Sequence, residues 1–172
     1  MVHRHRNVRR VAIIENRARE YSTRILLVED HASFRQALAF MFEREREFVV
    51  TGQAGSLAEA RAFMRKVPDG VDVAVVDLAL PDGDGFELIE ELASRPDVMT
   101  LVLSASLEPA RFARAVEAGA ASVLHKSAAI GEVVEAVRRL KSAEALLSPA
   151  EVIEMLRMSA ASARRSTKPR GP

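Results

Sequence analysis

The stretch Val73-Ala74-Val75-Val76-Asp77-Leu78-Ala79-Leu80-Pro81-Asp82-Gly83-Asp84-Gly85 runs from four apolar, mostly β-branched residues into a carboxylate and then a Pro/Gly loop. A continuous apolar run of this kind reads as a strand covered on both faces, the mark of a parallel sheet. The strand is expected over Asp72–Leu78. Asp77 then stands at its C-terminal end, on the edge where open α/β sheets gather their chemistry.

Working outward, the same alternation repeats on both sides. Further strands are expected at Arg24–Val28, Phe48–Ala54, Thr100–Leu103 and Ala121–His125. Between them lie helical patterns. Phe34, Ala37, Leu38, Met41 and Phe42 recur at helical spacing from Ser33 to about Glu45. Ser56 and Glu59 form a capping box that opens a helix running to Lys66. Phe86, Leu88, Ile89 and Leu92 give the inner face of Gly85–Ser94. Pro109 to Ala118 is a fourth helix with Gly119 as its stop, and Val133, Val134, Val137 and Leu140 build a fifth from Ile130 to Lys141. Five β-α units with no internal repeat imply an α/β fold, a five-stranded parallel sheet with right-handed crossovers and helices on both faces. The ordered domain is expected over 23–142. Residues 1–22 form a basic extension, disordered or partly helical. Ser148-Pro149-Ala150-Glu151 carries the signature of a helix start and places a short linker helix in 143–158, followed by a basic, disordered tail over 159–172.

With 172 residues the chain suits one domain with a real core. Its 48% hydrophobic and 28% charged content excludes a largely disordered chain. The absence of cysteine excludes a disulfide framework and any thiolate metal site. No apolar stretch approaches the roughly 20 residues that cross a bilayer, and Val11-Ala12-Ile13-Ile14 is too short for a signal-peptide core. A cytoplasmic location without membrane contact is expected. The net charge of +1 conceals basic ends around an acidic middle: residues 1–24 hold seven Arg against Glu15 and Glu20, and 148–172 hold five Lys/Arg against Glu151 and Glu154. Such ends read first as solvated tails, and charge alone is weak support for a polyanion partner.

Four strand ends carry polar groups of complementary kind: Glu29-Asp30, Asp77, Ser104 and Lys126. Each has an ordinary reading by itself, as a helix-capping loop, a turn residue, a strand-end hydroxyl or a surface lysine. Together they supply two acids for a cation, a carboxylate to modify, a hydroxyl and an ammonium. Clustered carboxylates repel one another unless a cation neutralises them, and an all-oxygen set with phosphate nearby suits Mg²⁺. Asp77 can then act as nucleophile toward phosphorus while the metal and Lys126 offset the transferring charge. His31 and His125 are read as bystanders. No G-x-x-x-x-G-K-[ST] loop and no G-x-G-x-x-G after the first strand is present, which leaves a P-loop nucleotidase and a dinucleotide fold unsupported. A haloacid-dehalogenase-type phosphatase would want a second Asp where Ala79 stands.

Residues 24–141 resemble a two-component response-regulator receiver domain (CheY-like, flavodoxin-like). The resemblance rests on Ile25-Leu26-Leu27-Val28-Glu29-Asp30-His31, Val75-Val76-Asp77 through Gly85, Leu103-Ser104-Ala105 and Leu124-His125-Lys126-Ser127. Ala118-Gly119-Ala120 and Leu146-Leu147-Ser148-Pro149 resemble the LuxR/NarL-type branch. The resemblance implies the strand order 2-1-3-4-5 and a phosphoryl group accepted on Asp77 from a histidine kinase or phosphotransfer protein. It also implies Mg²⁺ held by Glu29, Asp30, Asp77 and the backbone carbonyl of Ala79. Ser104 and Lys126 would contact the phosphoryl oxygens, Pro81 and Asp84-Gly85 would shape the adjoining loop, and Ala105 would leave room for the group. A phosphoacceptor with slow self-dephosphorylation is expected rather than a turnover enzyme, with a homodimer formed on phosphorylation; a metal-dependent phosphatase with Asp77 as covalent nucleophile is the alternative. Two departures stand out. Val123 replaces the Tyr or Phe usual three residues before the lysine, so no aromatic rotamer switch is expected. LuxR-type members carry a C-terminal helix-turn-helix domain used in transcriptional regulation, and here only its linker is expected. The chain is then a shortened regulator or a single-domain receiver, with no direct DNA binding by these 172 residues.

Overall fold

The computed structural model describes residues 22–106 and 108–142, in which strands and helices alternate as β1 (Thr23–Val28), α1 (Ala32–Glu43), β2 (Phe48–Ala54), α2 (Leu57–Lys66) and β3 (Val73–Asp77). After a short pair of strands, β4 (Ala79–Leu80) and β5 (Gly83–Asp84), follow α3 (Gly85–Ala93), β6 (Met99–Ser104), α4 (Pro109–Glu117), β7 (Ser122–His125) and α5 (Ile130–Ser142). The main sheet is parallel, in the order β2-β1-β3-β6-β7. Counting only its five strands, this is the expected 2-1-3-4-5 order.

Side chains that alternate along each strand go to opposite faces, and both faces are covered, which is why the runs are apolar throughout. Ile25, Leu27, Val73, Val75, Leu101 and Leu103 pack against Leu38 and Phe42 of α1 and Val133, Val137 and Leu140 of α5. Leu26, Val28, Ala74 and Val76 pack on the other side against Leu57, Ala60 and Met64 of α2 and Leu88 and Leu92 of α3. Val102 meets Leu78, Phe86 and Ile89, with Ala115 of α4.

Register brings the strand tips level. Val28 lies beside both Ala54 and Val76, Asp77 beside Leu103, and Ser104 beside His125. The groups that follow these tips therefore share one edge.

Helix ends follow the sequence cues closely. The Ser56 hydroxyl accepts from Glu59 N at 3.2 Å, while Glu59 Oε2 takes the N–H of Gly55 rather than that of the cap residue. Gly119 ends α4 at φ +109°, in the left-handed region that only glycine enters without strain, and a Cβ there would lie 2.6 Å from that of Ala93.

Several ends move by one residue, as at β6, which covers Met99–Ser104 instead of Thr100–Leu103, and three further expectations need correction. α1 covers Ala32–Glu43 instead of Ser33 to about Glu45: His31 takes the N-cap position, and Arg44 closes the other end with its N–H on the Phe42 carbonyl. β3 stops at Asp77 and starts after Asp72, whose carboxylate is turned to Arg24. The loop after Asp77 contains the antiparallel β4–β5 pair, too short to leave a periodic signal. The linker helix and the tail proposed for 143–172 lie outside the described residues, as does the basic extension apart from Ser22.

Candidate functional site

Asp77 closes β3 with only 1% of its surface exposed, and Glu29, just past β1, keeps 2%. Two desolvated carboxylates side by side are tolerated only with a positive partner. Lys126, just past β7, supplies it: Nζ is 2.6 Å from Asp77 Oδ2, 3.0 Å from Glu29 Oε1 and 2.9 Å from Glu29 Oε2. Burial works to discharge the ammonium, but its hydrogen bonds to Asp77 and Glu29 win and hold its pKa above that of a free lysine. The Phe34 ring of α1 covers the ammonium at 6.0 Å.

The Asp77 carboxylate is fixed from a second side, since Ala79 N–H donates to Oδ1 at 3.1 Å. The chain can turn this tightly because residue 85 is glycine. A Cβ at Gly85 would stand 2.4 Å from the Asp77 carbonyl oxygen and 2.7 Å from Leu78 Cα, both backbone atoms. Gly85 N–H donates to the Leu78 carbonyl at 3.0 Å, and Asp84 caps α3 through Phe86 N. The loop is also anchored at a distance. The Asp82 carboxylate accepts from Leu57 N and Ala58 N, both at 2.8 Å, at the start of α2. These two backbone donors hold the Asp82 pKa below the ordinary carboxylate value.

Asp30 lies at the open side. Burial opposes its ionisation, but its hydrogen bond with Glu29 and the neighbouring His31 hold its pKa below normal. His31 Nδ1 sits 3.0 Å from Glu29 Oε1 and 2.7 Å from Asp30 Oδ1, and the Glu29 contact raises its pKa. An Arg35 guanidinium N–H also donates to the Glu29 carbonyl.

The structure thus joins Glu29, Asp77 and Lys126 directly and sets Asp30 beside them. Ser104 is buried at the same edge, and its carbonyl accepts Lys126 N–H at 2.9 Å. Its hydroxyl is turned to its own loop, donating to Ser106 O at 2.9 Å and accepting from Ser106 N at 3.1 Å. His31, Arg35, Asp82 and His125, which the sequence reading left out of the site or passed over, all hold polar contacts at this edge. His31, adjacent to the acid pair, and His125, adjacent to Lys126, carry a local signal; Asp82 and Arg35 act through tertiary contacts that spacing does not reveal.

The donor set fits a hard divalent cation. One ligand atom each from Glu29, Asp30, His31 and Asp77 falls within a 4.8 Å cluster. Glu29 Oε2, buried and ion-paired with Lys126, receives no hydrogen bond, so an acceptor lone pair is left for a cation. Carboxylate oxygens are the ligands that Mg²⁺ takes, completed by waters and phosphate oxygens.

Residues 25–138 match the family model described as the response regulator receiver domain. The chain is 37% identical over 126 residues to the DNA-binding transcriptional activator DevR/DosR of Mycobacterium tuberculosis, covering 72% of this chain and 57% of that protein. It is 33% identical over 121 residues to the response regulator UvrY of Escherichia coli, covering 70% and 55%. A protein-glutamate methylesterase of Cereibacter sphaeroides is 37% identical over 128 residues, 72% of this chain but 34% of that one. Among solved structures, a LuxR-family two-component response regulator from Aurantimonas superposes with a TM-score of 0.68 at 26% identity, covering 81% of this chain and 99% of that one. The signal receiver domain of a NarL response regulator from Mycobacterium tuberculosis gives 0.64 at 28%, covering 69% and 95%. The chain spans a little over half the length of DevR/DosR and UvrY.

Proposed function

We infer, from the premise that this chain belongs to the response regulator receiver domain family, that Asp77 is the residue on which it accepts a phosphoryl group. The observation that carries this reading is the Asp77–Lys126–Glu29 cluster at one sheet edge. Asp77 is buried enough to be held in one orientation, and its two oxygens are fixed by different donors, Ala79 N–H and the Lys126 ammonium. Such positioning is most of what phosphoryl transfer asks of a protein. In the step, the phosphorus–nitrogen bond of a phosphohistidine donor breaks as a bond forms to an Asp77 carboxylate oxygen. Lys126 stays beside that oxygen to offset charge. The Ser104 hydroxyl, on leaving its Ser106 contact, would meet a phosphoryl oxygen. Ala105 would leave room for the group.

Glu29, Asp30 and Asp77, with the Ala79 carbonyl, would hold Mg²⁺. When bound, the ion supplies charge neutralisation between the acid pair and the incoming phosphoryl oxygens.

Receiver domains work with histidine kinases or phosphotransfer proteins and commonly dimerise; we assign both kinds of partner here, the second copy after phosphorylation. We read the chain as a cytoplasmic phosphoacceptor with slow self-dephosphorylation, not a turnover enzyme. The phosphatase alternative finds no support among the relatives, and Ala79 offers no general acid. Transcriptional control is what DevR/DosR is named for; we propose the same kind of pathway for this chain and assign no DNA contact to its described residues. Incubation with Mg²⁺ and a small phosphodonor, followed by intact mass, tests the reading: one phosphoryl group is gained, and none in Asp77→Asn. A gain that survives Asp77→Asn refutes it.

A further inference from the structure

His125, the last residue of β7, connects the two loops that carry the hydroxyl and the ammonium of the site. Its Nδ1 receives the N–H of Ser127 at 3.1 Å and faces the Ser127 hydroxyl at 2.5 Å. Nδ1 is therefore an acceptor, and this network puts the ring proton on Nε2. Nε2 lies 3.1 Å from the Ala105 carbonyl, the acceptor that this tautomer requires. Ala105 follows Ser104, and His125 precedes Lys126. The β6–β7 pairing ends at Ser104 and His125, so the imidazole extends the link between these strands past the last ladder position.

The position of the link matters because the Ser104 hydroxyl is engaged with Ser106. For that hydroxyl to face a group on Asp77, the contact to the Ser106 carbonyl has to open while Ala105 stays where Ser104 can reach the site. The Ala105 carbonyl is the point held by His125. We propose that His125 is a positioning residue that ties the Ser104 loop to the Lys126 loop, so that hydroxyl and ammonium shift together when Asp77 carries a phosphoryl group. This rests on the acceptor reading above and adds a residue to it.

The test uses the full chain with Mg²⁺ and beryllofluoride, a phosphoryl mimic, in wild type, His125→Leu and His125→Gln. Fluorine NMR reports binding, and backbone amide exchange reports the loops. In wild type and His125→Gln, whose amide can both donate and accept, the mimic alters exchange at Ser106 and at Ser127 together. In His125→Leu the bound fluorine signal persists, but Ser127 no longer responds, and exchange at Ser106 in the free protein rises about fivefold, as loss of one neutral hydrogen bond allows. A coupled response in His125→Leu equal to wild type overturns the proposal. A measurement on wild type alone serves if the Leu variant does not fold: imidazole nitrogen shifts must show Nε2 protonated and Nδ1 bare, and the opposite tautomer overturns it. No bound fluorine signal in wild type overturns the acceptor reading itself, and this inference with it.

Discussion

Lys126 Nζ rests 2.6 Å from Asp77 Oδ2 although 49 positions separate the two residues in the chain. The pair is mostly desolvated, with 18% and 1% of the side chains exposed, so each charge depends on the other. Lys126→Met leaves Glu29 and Asp77 facing each other without a counter-charge. Loss of one member of such a pair costs about 3 kcal/mol. Denaturant unfolding of this variant should show that loss in the absence of divalent ions and a partial recovery with Mg²⁺, which would neutralise the same acids.

Asp30 tests the cation site with less disturbance to the core, since a third of its side chain is exposed. Asp30→Asn should fold with near-wild-type stability and bind Mg²⁺ at least about tenfold more weakly, as loss of a charged ligand demands. Calorimetric titration with Mg²⁺ measures it directly. Equal affinities would remove Asp30 from the ligand set.

Gly85→Ala probes the turn behind Asp77. The added methyl would fall on the Asp77 carbonyl oxygen and Leu78 Cα, and backbone cannot yield as a flexible side chain can. A stability loss of about 1–3 kcal/mol is expected, together with slower phosphoryl uptake because Asp77 itself is displaced. Thermal unfolding and labelling kinetics should change together.

At the opposite end of β1, Asp72 accepts from both the backbone N–H and the guanidinium of Arg24. The side-chain bond to Arg24, working against burial, holds the Asp72 pKa below its free value. With the folded pKa below the unfolded one, the contact stabilises fully above about pH 4 and is lost as pH falls through the folded value. Asp72→Asn should remove that part of the acid sensitivity. The gap between wild type and variant should be under about 1 kcal/mol, because Arg24 remains 41% exposed. Urea titrations at neutral pH and near pH 3 provide the comparison.

The sheet and the ends of its strands were legible because burial on both faces forces continuous apolar runs, and the residue after each run is then fixed in place. That logic reaches Glu29, Asp77, Ser104 and Lys126 without knowledge of any contact. It does not reach Asp82, which looks like one more acid in a Pro/Gly loop; its role at the start of α2 depends on how two crossovers pack. His125 reads as a bystander for a similar reason, since its bond to Ala105 joins the ends of neighbouring strands across 20 residues of chain. The β4–β5 pair escaped because two residues per strand cannot show an alternation. The starts of α1 and β3 are set by His31 and Asp72, polar residues whose side chains are committed to Glu29 and Asp30 and to Arg24.

The most direct measurement is the chemical identity of the acceptor. Protein labelled with a small phosphodonor and Mg²⁺ is reduced with borohydride, which converts an aspartyl phosphate to homoserine, and its peptides are mapped by mass. Homoserine at position 77, and nowhere else, is the expected result. Homoserine at Asp30, Asp82 or Asp84, or phosphate that resists reduction because it sits on serine, would contradict the assignment of Asp77.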